Sequence, residues 1–146
     1  MTDLVLGSMM AHCESRMTNG EIRLRSMHPD GSGYIRTEAG AKGAWQNAHF
    51  HKGVRETYIV QRGWMAFAFV AANGKYFVQR YGEGDVVSSD PDSQHNVFLP
   101  MNAVIHTVKH GNAIGNPEKG GADWYEADAE FDTWTKGFGL DDLHAM

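Results

Sequence analysis

The chain has 146 residues, 42% of them hydrophobic and 21% charged, enough for one domain with one core and an ordinary globular balance. Its 13 Lys and Arg against 18 Asp and Glu give a net charge of −5, so the basic footprint of a nucleic-acid binder is missing and an anionic substrate must find local cations rather than a global field. A single cysteine, Cys13, excludes an intrachain disulfide, no apolar run approaches the ~20 residues of a membrane span, and the start does not read as a secretory signal, so a cytoplasmic protein is expected.

Seventeen glycines favour tight turns and an all-β reading. Residues 1–20 read as an N-terminal arm, in which Leu4, Val5, Leu6, Met9 and Met10 suit either a short strand or a helical turn. His12 and Cys13 invite a metal reading, but no second ligand stands at the right spacing. In residues 21–25, Ile22 and Leu24 alternate with charge, as in a half-buried strand. Residues 28–33 are a turn by composition, and 34–38 form a further strand.

The densest stretch is Gly43–Gly63, GAWQNAHFHKGVRETYIVQRG. On an extended strand His49 and His51 share a face, and period two adds Trp45 and Asn47 to it. Glu56 opens the next strand, with Tyr58 and Val60 on its face. Residues 64–72 form a buried strand, with Met65, Phe67 and Phe69 on one side. Ala66 and Ala68 on the other leave room for a ligand or for close packing of a second sheet. Asn73-Gly74 signals a two-residue hairpin, and residues 75–81 return.

The run GDVVSSDPDSQHNVFL (84–99) carries a further histidine, His95, on a strand expected to pair with Asp85–Val87. Residues 104–111 form the last long strand and alternate Val104, His106, Val108 and His110 against Ile105, Thr107 and Lys109. Residues 112–122 read as a polar loop. Asp128 can cap a helix that carries Phe131 and Trp134 and ends at Lys136-Gly137. Trp124, Phe131 and Trp134 are expected to pack this tail on the barrel, and the last six residues to fray.

Gly43, His49, His51, Glu56 and Gly63 resemble the first cupin motif, G-x5-H-x-H-x4-E-x6-G, with every spacer correct. The second motif, G-x5-P-x-G-x2-H-x3-N, is half met. Gly84 and His95 stand at the right separation, Pro91 comes one place late, Asp92 holds the glycine position and Leu99 replaces the asparagine. The resemblance covers residues 40–110 and implies an all-β cupin double-stranded β-helix, a jelly-roll barrel over 21–111, with loop and short C-terminal helix over 112–146 packed on it.

That resemblance implies a divalent transition metal (Fe, Mn, Ni, Co or Zn) held by His49, His51, Glu56 and His95, with His106 the alternative last ligand. If His95 is the ligand, His106 becomes a candidate acid or base. Tyr58 is a second candidate catalytic group, and Trp45 and Asn47 are candidate substrate contacts. Four protein ligands leave a coordination position open, the mark of a catalytic metal. Three functions fit. One is a metal-dependent isomerase, epimerase or lyase acting on a small hydroxylated or carbonyl, carbohydrate-like substrate. The others are an Fe-dependent dioxygenase and a non-enzymatic small-molecule or metal-binding module. The partner is then a small molecule, not nucleic acid or membrane, and a homodimer is expected of a jelly roll this size.

Overall fold

The computed structural model describes residues 4–6 and 10–146, with side chains from Glu14 onward. The side chains of His12 and Cys13 and the position of Met9 fall outside that range. In chain order the strands are β1 (Leu4–Leu6), β2 (Met10–Arg16), β3 (Ile22–Met27), β4 (Gly33–Glu38), β5 (Ala44–Trp45), β6 (His49–Phe50) and β7 (Val54–Arg62). They continue as β8 (Trp64–Val70), β9 (Tyr76–Gly82), β10 (Val86–Ser89), β11 (His95–Leu99), β12 (Val104–Gly111) and β13 (Tyr125–Glu126). Two helices close the chain, α1 (Ala129–Lys136) and α2 (Leu140–His144). Among the described residues no helix is long and apolar enough to cross a membrane.

Two antiparallel sheets face each other, as expected for a jelly-roll barrel. The larger has the order β1-β2-β3-β4-β12-β7-β10, and the smaller runs β13-β6-β11-β8-β9, with β5 also paired to β11. Their inner faces meet at one end in an apolar cluster that includes Val60, Met65, Phe67, Val97, Leu99 and Ile105. Period-two alternation puts these side chains inward. At the other end the inner faces are polar, and there the site lies.

The smaller sheet is covered on its outer face too. Ala68 and Ala66 let α1 and α2 approach closely, so Phe131 and Leu143 are fully buried against that face. The alanine side of β8 thus accommodates helices, not a ligand. Each buried side chain removes enough apolar surface from water to contribute about 2–3 kcal/mol. The last six residues are therefore not frayed. Leu143 anchors α2, and the backbone oxygen of His144 accepts a 2.6 Å hydrogen bond from Arg80. Asp128 precedes α1 without capping it through its side chain, because that carboxylate accepts from Gln94 instead.

Three local expectations change in the same way, each through register. The β8–β9 hairpin closes through residues 71–75 rather than a two-residue turn, with Val70 opposite Tyr76. Strand β10 pairs with β7 and not with β11, so the second-motif turn carries the chain from one sheet to the other. In β3 it is Arg23 and Arg25 that face the barrel interior, aligned with Thr37 and Ile35 of β4, and the alternation with Ile22 and Leu24 is inverted from the usual charge-out sense.

Gly43 shows why the first motif needs its glycine. Its φ is +70°, and a Cβ there would lie 2.8 Å from the Leu99 carbonyl oxygen.

Candidate metal centre

Each of the four residues expected as ligands arrives from a different constraint. Cross-strand pairing sets His49 of β6 opposite His95 of β11. His51 follows two residues after His49 on the same side of the chain. Glu56 lies on β7, directly opposite Lys109 of β12. All four side chains are buried, and one donor atom from each lies within 4.8 Å of every other. The ring of Phe67 stacks on His95 at 5.6 Å and the indole of Trp124 on His49 at 5.3 Å, which fixes both imidazole planes.

Hydrogen bonds decide which ring nitrogen faces the centre. Nδ1 of His49 lies 2.8 Å from the Asn47 carbonyl oxygen, Nδ1 of His51 lies 2.5 Å from that of Asp123, and Nδ1 of His95 lies 2.8 Å from that of Ser93. A carbonyl only accepts, so each Nδ1 carries the proton. The three Nε2 atoms therefore present lone pairs. They lie 3.9, 2.7 and 3.1 Å from Oε1 of Glu56 for His49, His51 and His95. Acceptors that converge on an acceptor at such range repel one another until a proton or a metal ion answers them. Three neutral imidazoles and a carboxylate, each backed by a second partner, form a donor set that can hold a divalent metal ion.

Charge states agree with that donor set. Burial, reinforced by the neighbouring His95, pushes His49 down to about 4, so it is neutral near pH 7. Burial works to raise the Glu56 pKa, but the Lys109 ammonium beside it acts the other way, and the carboxyl is held well below its usual range. Burial and the Glu56 charge push the Tyr58 hydroxyl well above its ordinary value. Tyr58 thus stays a donor, giving a 2.6 Å hydrogen bond to Oε1 of Glu56.

The centre sits in the wall of a cavity of about 290 Å³, lined also by Arg23, Arg25, Gln46, Tyr58, Thr107 and Lys109. The other sequence-derived candidates divide. Tyr58 is in the cavity. Asn47 borders it, but its side-chain oxygen is taken by Lys136 at 2.7 Å. Trp45 borders it too, yet its ring does not belong there. Phe98 pairs with Trp45 while His95 pairs with His49, so β5–β6 holds one more residue than β11 across the same span. This bulge turns Trp45 to the opposite face from His49. The indole packs on Phe98 and donates to the Phe138 carbonyl at 3.0 Å, and Gln46 takes the cavity side.

His106 is corrected outright. Register pairs Thr107 with Tyr58 and Lys109 with Glu56, so the odd-numbered residues of β12 face inward. His106 faces outward, between Tyr34 at 2.5 Å and Gln61. It is neither a ligand to this cluster nor a group in the cavity.

The sequence reading missed the part that several residues play here. Trp124 packs the tail on the barrel as expected, but does so on His49 itself. Lys109 lies 3.6 Å from Oε2 of Glu56. Arg23 and Arg25 line the far wall. Asp123 carries no motif, yet its carboxylate accepts from the backbone N–H groups of Lys52, Gly53, Val54 and Ile114 at 2.7–3.1 Å while its carbonyl orients His51.

No protein-family model matches the sequence, and no curated protein does. Solved structures do match its fold. Bacillus subtilis oxalate decarboxylase, a protein with Mn(II) centres, superposes with a TM-score of 0.63 at 15% identity, covering 96% of this chain and 40% of that one. Staphylococcus aureus CapF, a capsular polysaccharide assembling protein, gives 0.60 at 16% identity, covering 81% and 33%. A domain of Drosophila melanogaster CENP-C gives 0.55 at 13% identity, covering 68% and 72%. The chain thus spans 40% or less of the first two. At such identities what is shared is the barrel itself, and the chain has the cupin fold.

Proposed function

We propose that this cupin-fold chain is a metal-dependent enzyme, an isomerase or lyase acting on a small hydroxylated or carbonyl compound. One observation carries the reading: three imidazole lone pairs and a carboxylate converge at the wall of a polar cavity, each imidazole locked in the metal-binding tautomer by a backbone carbonyl. His49, His51, Glu56 and His95 would hold the ion. The chemistry such an ion supplies when bound is Lewis-acid polarisation of a carbonyl or hydroxyl oxygen. The Mn(II) of the oxalate decarboxylase neighbour is consistent with a divalent ion in this fold.

The chain's own groups do the rest. Tyr58, Gln46 and Thr107 offer hydrogen-bond partners inside the cavity, so a polar substrate is oriented rather than merely enclosed. Tyr58, kept protonated, stands next to both Glu56 and His95 and can donate to an oxygen where negative charge develops. The cavity, of about 290 Å³, accommodates a small polar substrate.

The dioxygenase reading is the competitor, since the same donor set suits Fe(II). The experiment that tests both starts from metal analysis of the purified protein beside His49→Ala and Glu56→Ala. We expect about one divalent ion per chain in the wild type and a loss of more than tenfold in occupancy in each folded variant. Turnover of small hydroxy and keto compounds without oxygen uptake supports the isomerase or lyase reading, and oxygen uptake with Fe(II) replaces it by the dioxygenase. Full metal content in both variants overturns the site. Assembly as a homodimer belongs to the same reading and is checked by sedimentation velocity.

A further inference from the structure

We infer that Ser89 is a positioning residue of the metal centre: its hydroxyl donates to the Glu56 carboxylate when an ion is held by the four ligands, and so sets the affinity of the site. This rests on the metal-binding part of the reading above, and not on which reaction follows.

The inference starts from an atom the fold does not use. Among the described residues, Oγ of Ser89 is the one buried side-chain polar atom without a hydrogen-bond partner. A hydroxyl withdrawn from water and left unanswered weakens a fold. Its place gives it a use. Ser89 ends β10 and stands directly opposite Glu56 of β7, whose neighbour on the other side of the same row is Lys109 of β12. Directly opposed residues share a face of the sheet, with Cβ atoms about 4.5–5.5 Å apart. Ser89 therefore points into the barrel beside Glu56, and the two are only 4% and 3% exposed.

The oxygens of Glu56 are unequally served. Oε1 accepts from Tyr58 at 2.6 Å and faces the three Nε2 atoms. Oε2 has the Lys109 ammonium at 3.6 Å, too long for a hydrogen bond. A carboxylate only accepts and a serine hydroxyl can donate, so the pair needs no proton to move. At this Cβ spacing a change of side-chain rotamer brings the hydroxyl to the carboxylate. Carboxylates that ligate metals are themselves oriented by outer hydrogen bonds, and Ser89 is the buried donor in place to supply one. The segment that follows it already serves two other ligands. The Asp92 N–H donates to the His51 carbonyl at 2.6 Å, and the Ser93 carbonyl lies 2.8 Å from Nδ1 of His95. Ser89 extends that service to Glu56.

The test compares wild type, Ser89→Ala and Ser89→Thr as full chains. Each is stripped with chelator, followed by thermal unfolding, and titrated with Mn(II) and with Zn(II) against a competing chelating dye. Stripped Ser89→Ala should melt about 2–4 °C above stripped wild type, because an unanswered hydroxyl has left the interior. Its metal affinity should nevertheless fall about tenfold or more. One substitution thus stabilises the stripped chain and weakens the loaded one, a pair of signs that a merely structural serine does not give. Ser89→Thr keeps the hydroxyl and should hold both ions within about threefold of wild type. Wild-type metal affinity in folded Ser89→Ala overturns the inference, as does an equal loss in a Ser89→Thr as stable as wild type. Should Ser89→Thr not fold, the opposed signs in Ser89→Ala decide it. A wild type that takes up neither ion overturns the metal reading itself, whereas equal uptake by wild type and Ser89→Ala overturns only the role of Ser89.

Discussion

The two walls of the cavity are encoded in different ways. The ligand wall, His49, His51 and Glu56 with His95 across the strand pair, is written as fixed spacings within a short stretch of chain. The cationic wall, Arg23, Arg25 and Lys109, is drawn from strands more than eighty residues apart and exists only through the pairing of β3, β4, β12 and β7. The first is local geometry and the second is register. Each wall has its own fastening. The Asp123 loop fastens the turn after His51 and orients that histidine, and Glu21 fastens Arg23 on the opposite side.

The largest effect expected from breaking this arrangement is at Asp123. Asp123→Ala would leave four backbone N–H groups without their carboxylate, at a cost of about 3 kcal/mol. For a chain of this size that is a fall in Tm of roughly 10 °C. Burial works to raise the Asp123 pKa, but the four N–H groups outweigh it and the folded value is lowered. A depressed carboxylate contributes stability that is present above its unfolded pKa and is lost as pH falls through the folded one. The gap between wild type and variant in urea denaturation should therefore stay constant from neutral pH to about 5 and shrink only as pH falls below the unfolded value of about 4. A gap independent of pH would mean that the carboxylate is not the stabilising element. Metal affinity should fall as well, because the same loop sets the tautomer of His51.

A smaller effect is expected on the other side. Glu21→Gln removes the buried charge that answers Arg23, at a cost of about 2 kcal/mol in chemical denaturation. Metal content should stay at the wild-type level, since no ligand touches Glu21. Loss of metal in a folded Glu21→Gln would show that the walls are coupled and not separate.

The same contrast explains what the sequence made legible. The barrel and the four converging side chains could be read because a period of two and a set of spacers survive in one dimension. Trp45 could not be placed, because the extra residue between it and His49 is visible only against β11. His106 could not be placed either. Strand β12 carries polar side chains on both faces, and only the pairing of Lys109 with Glu56 says which face is inside. Arg23 and Arg25 looked like a solvent face because charge usually points outward, a rule that fails where the interior is itself a polar site. Leu143 sits in a short polar tail whose burial depends on the small alanines of β8, far away in the chain.

The smallest effect is at the rebuilt turn, where the two halves of the motif meet. Asp90, Pro91, Asp92 and Ser93 close with a 3.2 Å hydrogen bond from Ser93 N–H to the Asp90 carbonyl. Proline at the second position and a positive φ at the third mark a type II turn. Asp92 takes φ +65°, the left-handed conformation that the family's glycine would supply, and its N–H donates to the His51 carbonyl at 2.6 Å. An aspartate tolerates that region better than most residues but not without strain. Asp92→Gly relieves it while giving the unfolded chain more freedom, so the two effects nearly offset and stability should rise by no more than about 1 kcal/mol. Asp92→Val cannot adopt the turn cheaply and should fall by about 1–2 kcal/mol. Equal stability in the glycine and valine variants would show that this turn is not held left-handed. The wild-type sequence would then owe its clasp on His51 to the proline alone.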